Sequence, residues 1–287
     1  MYKLPVFATV SRAYAFLVNE FGTILRLSWL PLLLTTIVQY FAARATYDAA
    51  LAALEARDLA ATSGPRFWEL LSGLIGVAGT AVVAVALHRV ILFGDRKPGQ
   101  NYYLAFGRIE ALFVILPVAV GLFFLFMSVF FSAAETGAFM AALSLFLIFA
   151  FFYAMVRLSL IFPLVVAEGR YNFGRAWMLS RGNFWRLLAS WLIAFIPLFG
   201  AFFVLATTLG GLRGVGAMFE ATQASDPELA ALRAAVETAE AAATLPMLLL
   251  GFAFSIVSGA VGVAILSYAY KYLTGTAPDS LLTPPAA

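Results

Sequence analysis

The chain has 287 residues, 63% of them hydrophobic and only 11% charged, with a mean hydropathy of +0.95 and a formal net charge of +3. Soluble domains run about 45–50% apolar and about 25% charged, so this composition excludes a fold that hides its apolar residues from water. The absence of cysteine excludes disulfides, thiolate nucleophiles and thiolate metal sites.

The apolar residues fall in long blocks rather than in alternation. That pattern predicts membrane helices and not a transmembrane β-barrel. Residues 3–20 predict a helix lying at the membrane surface, with Val6, Val10, Ala13, Leu17 and Phe21 on its apolar face. No cleaved signal peptide is expected, because about twenty mixed residues precede the first apolar block. The first span covers 23–43 and contains Pro31. A short polar helix follows, capped by Asp48 and broken at Ser63-Gly64-Pro65. The second span, 68–93, carries Gly73, Gly76 and Gly79, which let helices approach closely, and ends at His88-Arg89.

A turn over 95–99 and the aromatic residues Tyr102, Tyr103 and Phe106 lead into the third span, 109–132, with Pro117 inside it. The fourth block, 138–167, is too long to cross a bilayer of about 30 Å without a tilt or a break, and Pro163 marks the expected break. Residues 168–186 form a basic, aromatic-rich elbow, and the fifth span, 187–210, contains Pro197. Ser225-Asp226-Pro227-Glu228 then starts a solvated helix in the largest polar loop. The sixth span covers 245–272, and the proline-rich tail over 274–287 is expected to be disordered.

The reading is an all-α polytopic membrane protein of six transmembrane helices with cytoplasmic interfacial elbow helices, forming a single membrane domain over 1–287. Six spans place both termini on one side. Twelve basic residues fall in the segments on that side and five in those on the other, with Arg157 left in a span, so the termini are expected to be cytoplasmic. Three stretches share an aromatic elbow followed by a proline within the next span: Phe21 to Pro31, Phe106 to Pro117 and Phe184 to Pro197. Arg89, Arg157 and Lys271 match one another near the ends of the even-numbered spans. These matches predict three helix-hairpin repeats, 1–93, 94–167 and 168–273, about a pseudo-threefold axis along the membrane normal.

Motifs for catalysis, cofactors and metals are missing from the sequence, and the single histidine excludes a metal site built on a histidine pair. A non-enzymatic protein without cofactor or metal is expected. The candidate lipid-phosphate or gating residues are Arg157, Arg89, Lys271, His88, Arg175, Arg181 and Arg186. An ionisable residue inside a span is costly and points to function, while snorkelling to the headgroups is the structural alternative for Arg157. Its expected partners are Glu110 and Glu168. His88 reads either as a polar residue at the membrane interface or as a proton-relay group. Basic juxtamembrane residues attract anionic lipid. The expected partners are therefore membrane lipids, with no nucleic acid, and a second copy of the chain or an envelope protein. A transporter or lipid translocator with a cytoplasmic-side basic site is the alternative, on the strength of the prolines in the odd-numbered spans.

Ala176-Trp177, Ser180-Arg181-Gly182-Asn183-Phe184-Trp185-Arg186 and Arg26-Leu27-Ser28-Trp29-Leu30-Pro31 resemble a bacterial six-helix inner-membrane group: the membrane domain fused to some glycerophosphodiester phosphodiesterases, and its free-standing uncharacterised relatives. The resemblance implies an inner-membrane protein. It implies no hydrolase activity, because the enzymatic domain of the fused proteins has no counterpart here.

Overall fold

The computed structural model describes residues 2–57, 67–96, 99–134, 137–210, 216 and 226–276. Among these it has helices and no strand. In chain order the helices are α1 (Val6–Asn19), α2 (Phe21–Ala56), α3 (Phe67–Phe93), α4 (Arg108–Ala134), α5 (Ala138–Leu158), α6 (Ile161–Glu168), α7 (Phe173–Leu179), α8 (Phe184–Thr208), α9 (Pro227–Ala242) and α10 (Leu245–Thr274). Six stretches are long and apolar enough to cross a membrane: α2, α3, α4, α5 with α6, α8 and α10. This is the architecture of a multi-pass membrane protein. Phe124, Leu125, Phe146 and Phe149 project outward from α4 and α5, as side chains facing lipid do.

Three expectations are corrected. First, Asp48 caps no separate helix: α2 runs unbroken for 36 residues to Ala56. The sequence from Ala43 to Ala56 holds no glycine or proline, alanine favours the helix, and Asp48 sits 3.9 Å from Arg44 one turn back. Second, the fourth block breaks at Ser159-Leu160, ahead of Pro163. The proline ring collides with the carbonyl four residues before it, which belongs to Ser159. Third, much of the apolar face expected for α1 packs inside the protein. The helix buries Val10, Ala13 and Phe16 within the protein and leaves Phe7 and Val18 exposed.

Asp226 caps α9 as expected, its carboxylate accepting from the Leu229 amide at 3.1 Å. The connection over 99–107, which leads into the stretch Phe106 to Pro117, is not helical. Glycines at both ends interrupt it, and Gly99 has φ +82°. The break at Ser63-Gly64-Pro65, Ser225 and the tail beyond Thr276 lie outside the described residues.

The chain forms two compact units. The first comprises Met1–Leu27, Thr80–Phe195 and Gly259–Ala287, and the second Ser28–Gly79 and Ile196–Ser258. The core of the first unit centres on α6, which buries Ile161, Pro163, Leu164, Val165 and Val166. Leu4, Leu187, Leu266 and Ala269 pack against one side of it, and Ala81, Val85, Phe113 and Ala176 against another. In the second unit α2 and α3 meet at Gly79. A Cβ there would lie 2.6 Å from Thr35 Oγ1 and 3.2 Å from the Pro31 carbonyl, so only glycine fits. Phe41 stacks on Trp68 and Phe202 packs on Phe254, with ring centroids 5.3 Å and 4.5 Å apart.

Candidate functional site

All seven predicted site residues belong to the first unit. They do not converge on one site, and the structure sorts them by what they touch.

Arg157, in the last turn of α5, is 7% exposed. Nε donates to Ser180 Oγ at 2.8 Å, and the two terminal nitrogens donate to the Tyr153 hydroxyl at 2.9 Å and the Trp177 carbonyl at 2.7 Å. The guanidinium also lies over the Trp177 ring, 4.2 Å from its centroid. A guanidinium's donors fan out in one plane, which suits three partners set around it. The Trp177 carbonyl is in the last turn of α7, where carbonyls lack helical partners and the helix dipole favours a cation. Arg157 therefore neither snorkels nor pairs with Glu110 or Glu168. Glu110 is buried and accepts from the Gly107 amide at 2.9 Å, capping α4 from within. Glu168 pairs with Arg175.

Lys271 also caps a helix end: its Nζ donates to the Ile91 carbonyl, in the last turn of α3, at 2.6 Å. Arg89 is half-buried, 3.5 Å from the Tyr103 hydroxyl. Of the three residues aligned as equivalent, Arg157 and Lys271 are thus committed to helix-end carbonyls of the protein, while Arg89 meets a tyrosine hydroxyl. His88 is 1% exposed and not a surface group. Its Nδ1 lies 2.6 Å from Ser267 Oγ, and its ring meets Phe113 edge-on. From Ala81 onward α3 is buried on nearly every side.

The elbow itself is built on a three-residue spacing. Ser180 accepts from Arg157 and donates to the Trp177 carbonyl at 3.0 Å. Asn183 holds the chain's start: Oδ1 accepts from the Leu4 amide at 2.9 Å, and Nδ2 donates to the Tyr2 carbonyl at 3.0 Å. Arg186 donates to the Leu4 carbonyl at 2.9 Å. Between Ser180 and Asn183 the chain turns through Gly182 at φ +73°, a conformation glycine adopts without steric cost. Asn172 caps α7 by accepting from the Arg175 amide at 3.1 Å. Leu4 is buried, while Lys3, Arg181 and Arg186 are exposed.

Sequence reasoning did not single out Asn183 or the segment Tyr2 to Leu4. The signal was present: Ser180, Asn183 and Arg186 recur every third residue across a glycine turn, which puts three hydrogen-bonding side chains on one side of it.

The first unit's cations outnumber its acids by thirteen to six, while the second holds five cations and nine acids. The first therefore carries +7 and the second −4. No family model matches the chain, and neither the curated proteins nor the solved structures searched include a match to it.

Proposed function

We propose that this is a non-enzymatic integral protein of the bacterial inner membrane, with both termini cytoplasmic, which contacts anionic lipid headgroups through the elbow joining α7 to α8. The observation that carries the reading is the segregation of charge into a unit of +7 and a unit of −4. Positive charge concentrates on the cytoplasmic side of membrane proteins, where anionic lipids attract exposed cations at about 1 kcal/mol each. Arg181 is the outward group of the elbow: it is exposed and has no side-chain partner among the described residues. Arg157, held by Ser180, Tyr153 and Trp177, is a structural group in this reading. That commitment favours a lipid-anchored scaffold over a translocator that uses Arg157 as its gate. The resemblance to the membrane domain of glycerophosphodiester phosphodiesterases rests on this same elbow together with Arg26 to Pro31.

Native mass spectrometry of the protein extracted with its own lipids tests the reading. Arg181→Ala is expected to lose bound anionic lipid and Arg157→Met to keep it. Unchanged retention in Arg181→Ala overturns the proposal.

A further inference from the structure

The strongest unassigned feature is the place where the chain's start meets the elbow. Asn183 bonds both the Tyr2 carbonyl and the Leu4 amide, and Arg186 bonds the Leu4 carbonyl. Leu4 is fully buried against Leu160, Leu164 and Leu187. These contacts fix the backbone on either side of Lys3 while its side chain stays exposed. Arg181 stands two residues before Asn183 and Arg186 three after it, and both are exposed. Lys3 and Arg181 have no side-chain partner among the described residues.

Among the described residues, the acids of the unit are engaged with other partners. Glu20 is paired with Arg96, Glu110 caps α4 and Glu168 is paired with Arg175. Asp95 borders a small hollow with Arg89 and Tyr103. The neighbouring large side chains are apolar and exposed, Phe7 at 78% and Trp185 at 75%. Cations interleaved with exposed aromatic rings match a membrane interface, where the rings sit at headgroup depth and the cations meet phosphate.

We infer that Lys3, Arg181 and Arg186 form one composite site for the phosphate of an anionic phospholipid, with Asn183 as the positioning residue that brings Lys3 to it. The inference rests on the lipid-contact reading above and adds the N-terminal segment to that site. Residues 2–4 are then part of the binding surface. The partner is the membrane's own anionic lipid. A soluble anion would have no use for Phe7 and Trp185.

The test uses the full chain, delipidated in detergent and titrated with phosphatidylglycerol or phosphatidylcholine, with bound lipid counted by native mass spectrometry. Lys3→Ala is expected to weaken phosphatidylglycerol binding about fivefold, as one surface cation should, and to leave phosphatidylcholine unchanged. Asn183→Ala is expected to match it and to deprotect the Leu4 amide in hydrogen exchange. Lys3→Ala keeps the test open if Asn183→Ala does not fold, because no described residue bonds the Lys3 side chain. If Arg181→Ala loses phosphatidylglycerol while Lys3→Ala does not, the composite site is wrong and the elbow reading stands. If neither loses it, both are wrong. An equal loss of phosphatidylcholine also overturns the inference, since it reports damaged packing alone.

Discussion

The two units hold their helices together by different means. The first uses polar side chains that reach across to carbonyls and hydroxyls of other elements. Arg157 binds Ser180 and Trp177, Lys271 binds Ile91, His88 binds Ser267, and Tyr14 donates to the Ala194 carbonyl at 2.7 Å, three residues before Pro197. The second relies more on close backbone approach, Gly79 against Thr35 and Pro31, beside the rings of Phe41 on Trp68 and Phe202 on Phe254 and one polar bond from Thr46 to Glu69 at 3.0 Å. In lipid the hydrophobic effect does little to bring helices together, so hydrogen bonds and tight packing must do so. Rings stack in both units, Phe123 on Phe151 in the first at 3.9 Å, so what sets the cationic unit apart is its larger share of polar bonds between elements.

The largest expected effect is in the first unit. Arg157→Met removes three charge-assisted hydrogen bonds from a buried site and should cost about 3 kcal/mol in unfolding. Arg157→Lys should recover little of it, because an ammonium on a flexible stem does not reproduce a planar fork. Denaturant unfolding in micelles measures both. A loss below about 1 kcal/mol would mean that the buried guanidinium behaves as an exposed one, and the contrast between the units would fail.

In the second unit, Gly79→Ala should cost about 1–2 kcal/mol, because β-branched Thr35 and the Pro31 backbone have little room to give. Gly76→Ala meets only Thr35 Cγ2, at 3.7 Å, and should be neutral or gain up to about 1 kcal/mol from helix propensity. Adding Thr35→Ala should recover part of the Gly79→Ala loss. Equal behaviour of the two glycines would show that close approach is not what joins α2 to α3. Smaller again is Ser267→Ala, expected to cost about 1 kcal/mol by leaving His88 Nδ1 without its partner.

The smallest effect lies at the surface of the first unit. The Arg96 guanidinium, 2.7 Å from Glu20 Oε1, holds the Glu20 carboxyl below the ordinary carboxylate range, with help from the Thr23 hydroxyl. A lowered pKa in the folded state gives stability that is present at neutral pH and fades as pH falls below the usual glutamate value of about 4.3. Thermal midpoints of the wild type and Glu20→Gln should differ slightly at pH 7 and converge in acid. A gap that widens in acid would contradict the pairing.

The six spans were legible because long apolar blocks have few other solutions, and the cap at Asp226 because its signal is local. The buried state of Arg157 was not. Its partners Ser180 and Trp177 are 20 or more residues away in sequence, and composition alone puts an arginine at a span's end in the headgroups. The alignment of Arg89, Arg157 and Lys271 compared residue types and could not see that two of them terminate helices α7 and α3. The elbow's cations were visible as charge, but not which of them were already engaged: Arg175 is held by Glu168 and Arg181 is not.

The central claim is that the cationic segments face the anionic, cytoplasmic leaflet and the acidic ones the opposite side. With no native cysteine, single cysteines at the exposed positions Gln100 and Glu237 can be labelled with a membrane-impermeant maleimide. Glu237→Cys is predicted to react in intact cells stripped of their outer envelope, and Gln100→Cys only after the membrane is opened. Labelling of both from one face, or in the reverse order, would contradict the account.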